Sequence, residues 1–196
     1  MKSVFSEISI FGRVAYSIYS IEEYLFEIGE SKDKWEILLS ELWSFSKEQY
    51  VDDYLCHITE FMPSCVTEFD VYDSPSDWEY LSEDRYYQLY SLYTSFDDIE
   101  TVDFVMDKIQ SMISAHIYSN VIPPALVSLQ IMENELIPFL KKKLKKLLDV
   151  EPFRIFSIYK DGCWDMAHNK EEIIFQNERI IKSHCLHSLM KMTLIC

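Results

Sequence analysis

The chain reads as an all-α protein, a compact bundle of seven or eight helices, and three observations predict this class. Glycine occurs only three times and proline six times in 196 residues, too few for a sandwich or barrel with frequent turns. Apolar residues recur at three- and four-residue spacing over most of the length, the period of a helix with one buried face. Hydrophobic residues make up 48% and charged residues 26%, a globular balance that supports a packed core and argues against disorder. We read residues 1–196 as a single helical domain, with a soft boundary in the loop 63–77.

The first helix is expected over 4–28. Val4, Ile8, Phe11, Ala15, Ile18, Tyr19, Glu22 and Phe26 trace its largely apolar stripe, and Gly29 supplies the C′ residue. Gly12 inside it costs about 1 kcal/mol of helix propensity, which points to close packing there. Ser31 reads as the N-cap of a second helix carrying Trp35, Leu38, Leu39, Leu42 and Trp43. A third spans 47–62, with Tyr50, Val51, Tyr54, Leu55, Ile58 and Phe61 before Pro63. Residues 63–77 hold Pro63, Pro75 and several Ser and Asp, a turn-forming composition.

Ser82 is placed to cap a helix over 83–95 bearing Tyr86, Leu89, Tyr90 and Tyr93. The next, over 97–119, has Ile99, Val102, Val105, Met106, Ile109, Ile113 and Ile117 on one face. Its opening acids Asp97, Asp98 and Glu100 complement the positive end of the helix dipole. Pro123-Pro124 breaks that helix and starts another, running to about 148 with a kink near Pro138. The lysines at 141–143 and 145–146 fall at its negative end and read as a solvated basic face. Segment 153–166 fits two forms, a short helix after Pro152 or a β-hairpin turning at Asp161-Gly162. A last helix over 170–193 carries Ile173, Ile174, Ile180, Ile181, Leu189 and Met190.

Charge is distributed unevenly. Residues 1–140 hold 26 acids and 7 bases, a net of −19, whereas 141–196 hold 7 acids and 11 bases, a net of +4. The window 68–107 contains twelve acids against Arg85 alone. Such a field repels nucleic acid and anionic lipid and attracts basic surfaces, so neither nucleic acid nor membrane is expected as a partner. No run approaches the length of uncharged apolar sequence that spans a bilayer, and Glu7 and Arg13 interrupt the apolar start that a signal peptide requires. Five cysteines, at irregular spacing and without a CxxC pair, suit a reducing compartment in which thiols act as small hydrophobes. A cytoplasmic location is expected.

The sequence carries no P-loop, dinucleotide fingerprint, nucleophile elbow or HExxH motif. His184 and His187 lie three apart, a spacing that shares a helical face, with Cys185 between them and Cys163 and His168 nearby in sequence. Their spacing fits no standard zinc site, and no metal or other cofactor is expected. Cys56-His57 lacks an activating context, because adjacent helix residues point in different directions. Carboxylate pairs are common among 33 acids, and none sits in a motif that would assign it acid–base work. We therefore expect no enzymatic activity.

What remains is the interleaving of acids and aromatics in 68–107. Tyr86, Leu89, Tyr90 and Tyr93 share a face and read as core, whereas Trp78, Tyr80 and Tyr87 fall in less regular or opposite positions. Tyr and Trp are frequent interface anchors, and carboxylates around them steer and pair with Lys or Arg of a partner. The candidate partner-binding residues are Asp73, Asp77, Trp78, Glu79, Tyr80, Glu83, Asp84, Tyr87, Asp97 and Asp98.

Phe11-Gly12-Arg13-Val14-Ala15-Tyr16-Ser17-Ile18, then Glu22-Glu23-Tyr24-Leu25 and Trp35 to Leu42-Trp43, resembles the all-α immunity proteins of bacterial polymorphic toxin systems. The likeness covers mainly the first 45 residues. It implies a cytoplasmic bacterial protein that binds a cognate toxin and blocks its active site. Binding residues do not carry over, since such families vary most where they face the toxin. Gly12, Arg13, Trp35 and Trp43 would then be structural: a packing glycine, a buried or capping arginine and core indoles. A helical adaptor or regulatory subunit with merely solubilising acids is the rival reading. A hydrolase or metal protein built on His184, Cys185 and His187 is a third.

Overall fold

The computed structural model describes residues 3–46, 51–69, 71–72, 74, 76–118 and 124–156. Their order is α1 (Ile10–Glu27), α2 (Lys32–Leu42), a 3₁₀ turn (Trp43–Ser46), α3 (Val51–Glu60), α4 (Pro63–Val66) and α5 (Glu83–Thr94). Then come α6 (Ile99–Tyr118), α7 (Pro124–Ile131), a π-helical segment (Met132–Leu136), α8 (Ile137–Lys143) and a 3₁₀ turn (Glu151–Ile155). With α7 and α8 taken as one rod, the described residues form seven helices and no strand, so the all-α class holds. The expected helix over 170–193 lies outside the described residues.

α1 is the axis of the molecule. Every residue from Ile10 to Leu25 is buried except Glu22, so the helix is covered nearly all round rather than along one stripe. α6 packs along it, and α2, α7 and the 3₁₀ turn Glu151–Ile155 close its other sides. A helix so placed must satisfy its polar side chains internally. The Ser17 hydroxyl donates to the Arg13 carbonyl and that of Ser20 to the Tyr16 carbonyl, both at 2.8 Å. Arg13 is 1% exposed; its Nε and Nη2 donate to the Phe5 carbonyl at 3.3 and 3.0 Å, and its Nη1 donates to the Ser128 hydroxyl.

That arginine also explains why α1 begins later than its apolar stripe suggests. The Phe5 carbonyl, which a longer helix would offer to the Ser9 amide, receives the guanidinium instead. The Ser9 amide donates to the Phe156 carbonyl at 2.7 Å, and its hydroxyl caps the Gly12 amide at 3.3 Å. Val4 and Phe26, expected on the buried stripe, are exposed. At the other end, Gly29 has φ of +86°. Its amide donates to the Phe26 carbonyl and that of Glu30 to the Leu25 carbonyl, the paired bonds of a Schellman motif.

Gly12 marks the closest approach in the core. A Cβ there would lie 2.5 Å from Ile8 Cγ2, 2.8 Å from Phe156 Cβ and 3.3 Å from the Phe153 carbonyl oxygen. The segment beyond Pro152 is a 3₁₀ turn over Glu151–Ile155, which decides against a strand as far as Phe156. Phe153 and Phe156 are both 1% exposed, and a three-residue period brings both inward where strand alternation would bring only one. Residues 157–166, the remainder of the proposed hairpin, lie outside the described residues.

The kink expected near Pro138 takes the form of the π-helical segment just before it. Proline has no amide to give to the Asn134 carbonyl and its ring crowds that group, so the turn widens. The Ile137 amide accordingly donates to the Met132 carbonyl, five residues back, while Met132 and Leu136 stay fully buried. The helix ends at Lys143 rather than near 148, and Leu144 continues in an extended conformation.

One half-buried acid works against the fold at neutral pH. Glu22 accepts the Trp43 indole N–H at 2.7 Å, but burial raises its pKa, outweighing that bond and the attraction of Lys32, and Glu36 adds repulsion. A carboxylate with a raised folded pKa binds protons more readily in the native state, so its contribution to stability grows as pH falls. Glu22→Gln keeps an acceptor for Trp43 and removes the charge. It is expected to raise the melting temperature at pH 7, with the gain shrinking as wild type is acidified towards the ordinary carboxylate range. Thermal unfolding of both proteins at pH 7 and pH 5 checks this.

Candidate functional site

The acidic-aromatic segment falls on the loop between α4 and α5 and on the first turn of α5. This loop has little regular structure, yet side chains from α3 and α5 and its own aromatic rings fix it. The Glu60 carboxylate, at the end of α3, accepts the amides of Glu79, Tyr80 and Leu81 at 2.8, 2.8 and 2.9 Å. Tyr72 stacks on Trp78 with centroids 6.1 Å apart, and Trp78 in turn leans on Tyr86 at 5.5 Å. The Tyr72 hydroxyl donates to the Leu81 carbonyl at 3.2 Å, and that of Tyr86 to the Phe69 carbonyl at 2.6 Å. Tyr80 stacks on the His57 imidazole at 4.9 Å.

Beneath the loop lies a charged cluster that joins α2, α3 and α5. Glu41 Oε2 lies 2.8 Å from His57 Nε2, and Glu41 Oε1 accepts from Arg85 Nη2. The His57 hydrogen bond, foremost, and then Arg85 outweigh burial and hold the Glu41 pKa at about 2. Arg85 also lies over the Phe61 ring at 4.9 Å. The only base in the acidic window therefore serves the interior as much as the surface.

The predicted residues separate into groups. Asp77, Glu79, Glu83, Asp84, Tyr87 and Asp97 are exposed. Trp78 and Tyr80 are half-buried and act as struts of the loop. Asp98 is bound within the fold, 2.8 Å from Lys143 and accepting from the Tyr24 and Thr101 hydroxyls. Burial opposes its charge, but Lys143, Tyr24 and Thr101 together hold its pKa below the usual carboxylate range. Asp73 lies outside the described residues. Of the other acids in the window, Asp103 accepts the Ser64 amide at 2.9 Å and Asp107 pairs with Lys108 at 2.8 Å.

Phe69, Val71 and Tyr87 are exposed apolar residues in the same region, at 52%, 57% and 43%. Phe69 and Val71 were not among the predicted anchors, although their place in a polar loop was a usable signal. Glu41, His57 and Glu60 were missed too. Their partners lie 16 to 44 residues away in sequence, and only the isolation of Arg85 among acids hinted at them.

Cys56 is exposed, while the neighbouring His57 ring turns to Glu41 and Tyr80. Burial, then Asp103, Glu68 and Glu60, push the Cys65 thiol up, away from the nucleophilic thiolate. Among the described residues no three His, Cys, Asp or Glu side chains are grouped to hold a metal ion. Cys163, His168, His184, Cys185 and His187 lie outside them. Among the described residues no helix is long and apolar enough to cross a membrane. Set against known protein families, curated proteins and solved structures, the chain finds no significant match in any of the three.

Proposed function

We propose that this protein is an immunity protein: an inhibitory binding protein that holds a cognate toxin with a basic surface and blocks its active site. The observation that carries the reading is the loop at 76–82, fixed by Glu60, His57 and Tyr86, which displays Asp77 and Glu79 beside Glu83, Asp84 and Tyr87. A loop already ordered pays little conformational entropy on binding, so its contacts translate more fully into affinity. Its acids occupy the role that phosphates play for a basic nucleic-acid-cleaving toxin, and they accelerate capture at low salt.

Affinity purification with the product of the adjacent gene tests the reading, alongside rescue of cells expressing that product. Simultaneous Asp77→Lys, Glu79→Lys, Glu83→Lys and Asp84→Lys is expected to weaken the complex about tenfold or more at low salt and to flatten its salt dependence. Absence of binding and of rescue, with both proteins folded, would discard the cognate pair. One observation favours the adaptor reading. Asp98, Asp107 and Glu41 are paired with Lys143, Lys108 and Arg85, and Glu83 and Asp84 serve the dipole of α5, so much of the acidity has structural uses. Unchanged affinity and salt dependence in the charge-reversed protein would support that alternative.

A further inference from the structure

Three of the seven large apolar residues exposed among the described residues, Phe69, Val71 and Tyr87, belong to the face built around the buried ring of Tyr86. The Tyr86 hydroxyl donates to the Phe69 carbonyl at 2.6 Å, and the Tyr87 ring meets the Tyr86 ring edge-on at 5.3 Å. Val71 precedes Tyr72, which packs edge-on against Tyr86 at 5.5 Å and donates its hydroxyl to the Leu81 carbonyl. These side chains therefore face water although the chain beneath them is anchored. Single exposed apolar residues are ordinary, but three around one ring mark a surface that a partner covers.

Carboxylates border the same rings. Glu83 and Asp84 are exposed one helical turn before Tyr87 on α5. Desolvation, then Glu83, Glu60 and Asp77, raise the pKa of the Tyr72 phenol, so these acids lie within electrostatic reach of the aromatic group. Glu60 is committed to the amides of Glu79, Tyr80 and Leu81, whereas Asp77 and Glu83 face solvent. Arg85, the only base in the window, is engaged by Glu41 and lies over Phe61. Such a rim repels nucleic acid and anionic lipid and attracts a cationic protein segment.

We propose that Phe69, Val71 and Tyr87 form the seat for a basic amphipathic segment of a partner protein, apolar on one face and flanked by Lys or Arg. This rests on the reading of the face as an interface with a basic protein, and adds that the apolar centre holds the complex together. Desolvated anchors of this kind set the dissociation rate, while the surrounding acids speed the encounter.

The probe is a labelled helical peptide of about 18 residues, with leucines on one face and lysines on the other. A peptide with serines in place of the leucines is its control. Fluorescence anisotropy with the full chain is expected to show tighter binding of the leucine peptide. Phe69→Ser, Val71→Ser and Tyr87→Ser together should weaken that binding about tenfold or more, at about 0.15 M and about 0.5 M salt alike. Phe26→Ser with Ile28→Ser, exposed apolar residues at the end of α1, should leave it unchanged. Phe69→Ser with Val71→Ser, which spares the Tyr87–Tyr86 contact, decides the matter if the triple variant does not fold. Equal affinity for the two peptides, or equal binding by wild type and variant, overturns the proposal. So does a concentration-dependent dimer that the triple variant abolishes, because a second copy then occupies the seat. The immunity reading stands or falls separately, on binding and rescue with the product of the adjacent gene.

Discussion

Gly12→Ala is expected to destabilise the protein by about 2 kcal/mol or more, although alanine is the better helix former by about 1 kcal/mol. The added methyl has no room. It would meet Ile8 Cγ2 at 2.5 Å, Phe156 Cβ at 2.8 Å and the Phe153 carbonyl at 3.3 Å. Two of these neighbours belong to the segment that follows Pro152, whose Phe156 carbonyl also holds the Ser9 amide. Moving it aside would loosen the N-terminal cap of α1 as well. Thermal unfolding should show a fall of roughly 4 °C or more, from the usual conversion for a chain of this size. A double-mutant cycle with Ile8→Ala isolates the cause. Removing Cγ2 relieves the shortest contact, so the pair should cost less than the sum of the single changes. A stability equal to or above wild type would mean that α1 and the Phe153–Phe156 segment are not in contact at Gly12.

The same position shows what the sequence made legible. A glycine within a strong apolar period marks close packing, whatever packs there, and the period itself located α1, α2, α5 and α6 to within a few residues at most ends. The start of α1 escaped because Arg13 takes the carbonyl that would have continued the helix upstream, a contact between residues eight apart that no propensity registers. Its all-round burial escaped because nothing in the sequence shows that the hydroxyls of Ser17 and Ser20 turn back onto the helix carbonyls.

The candidate surface was legible as composition but not as construction. Counting acids identified the window, yet it gave equal weight to Asp97, which faces solvent, and to Asp98, which is tied to Lys143, Tyr24 and Thr101. Aromatic spacing separated Tyr86 and Tyr93 as core correctly. It could not show that Trp78 and Tyr80 brace the loop, because their supports, Tyr86 and His57, come from different helices. The use of Glu60 as a receptor for three consecutive amides is likewise a tertiary fact.

Glu41 gives the second large effect, and its sign is opposite to that of Glu22. Its folded pKa is about 2, against an ordinary carboxylate value of 4.5. The native state therefore binds this proton less readily than the unfolded chain, and the stabilisation is complete above the unfolded value. It is lost as pH falls from about 4.5 towards about 2. After allowance for solvent around a partly open group, this is worth about 2 kcal/mol near neutrality. Glu41→Gln leaves Arg85 and His57 with only an amide oxygen between them, so most of that amount should disappear. Denaturant unfolding at pH 5.5 should show the variant weaker, the two curves converging below pH 4.5. A gap that stays constant down to pH 3 would assign the loss to packing rather than charge. A gap absent at pH 7 would mean that the cluster does not join α2, α3 and α5 in solution. The two glutamates thus make acid stability separable: one site strengthens the fold on protonation and the other weakens it, and the double glutamine variant should lose both dependences together.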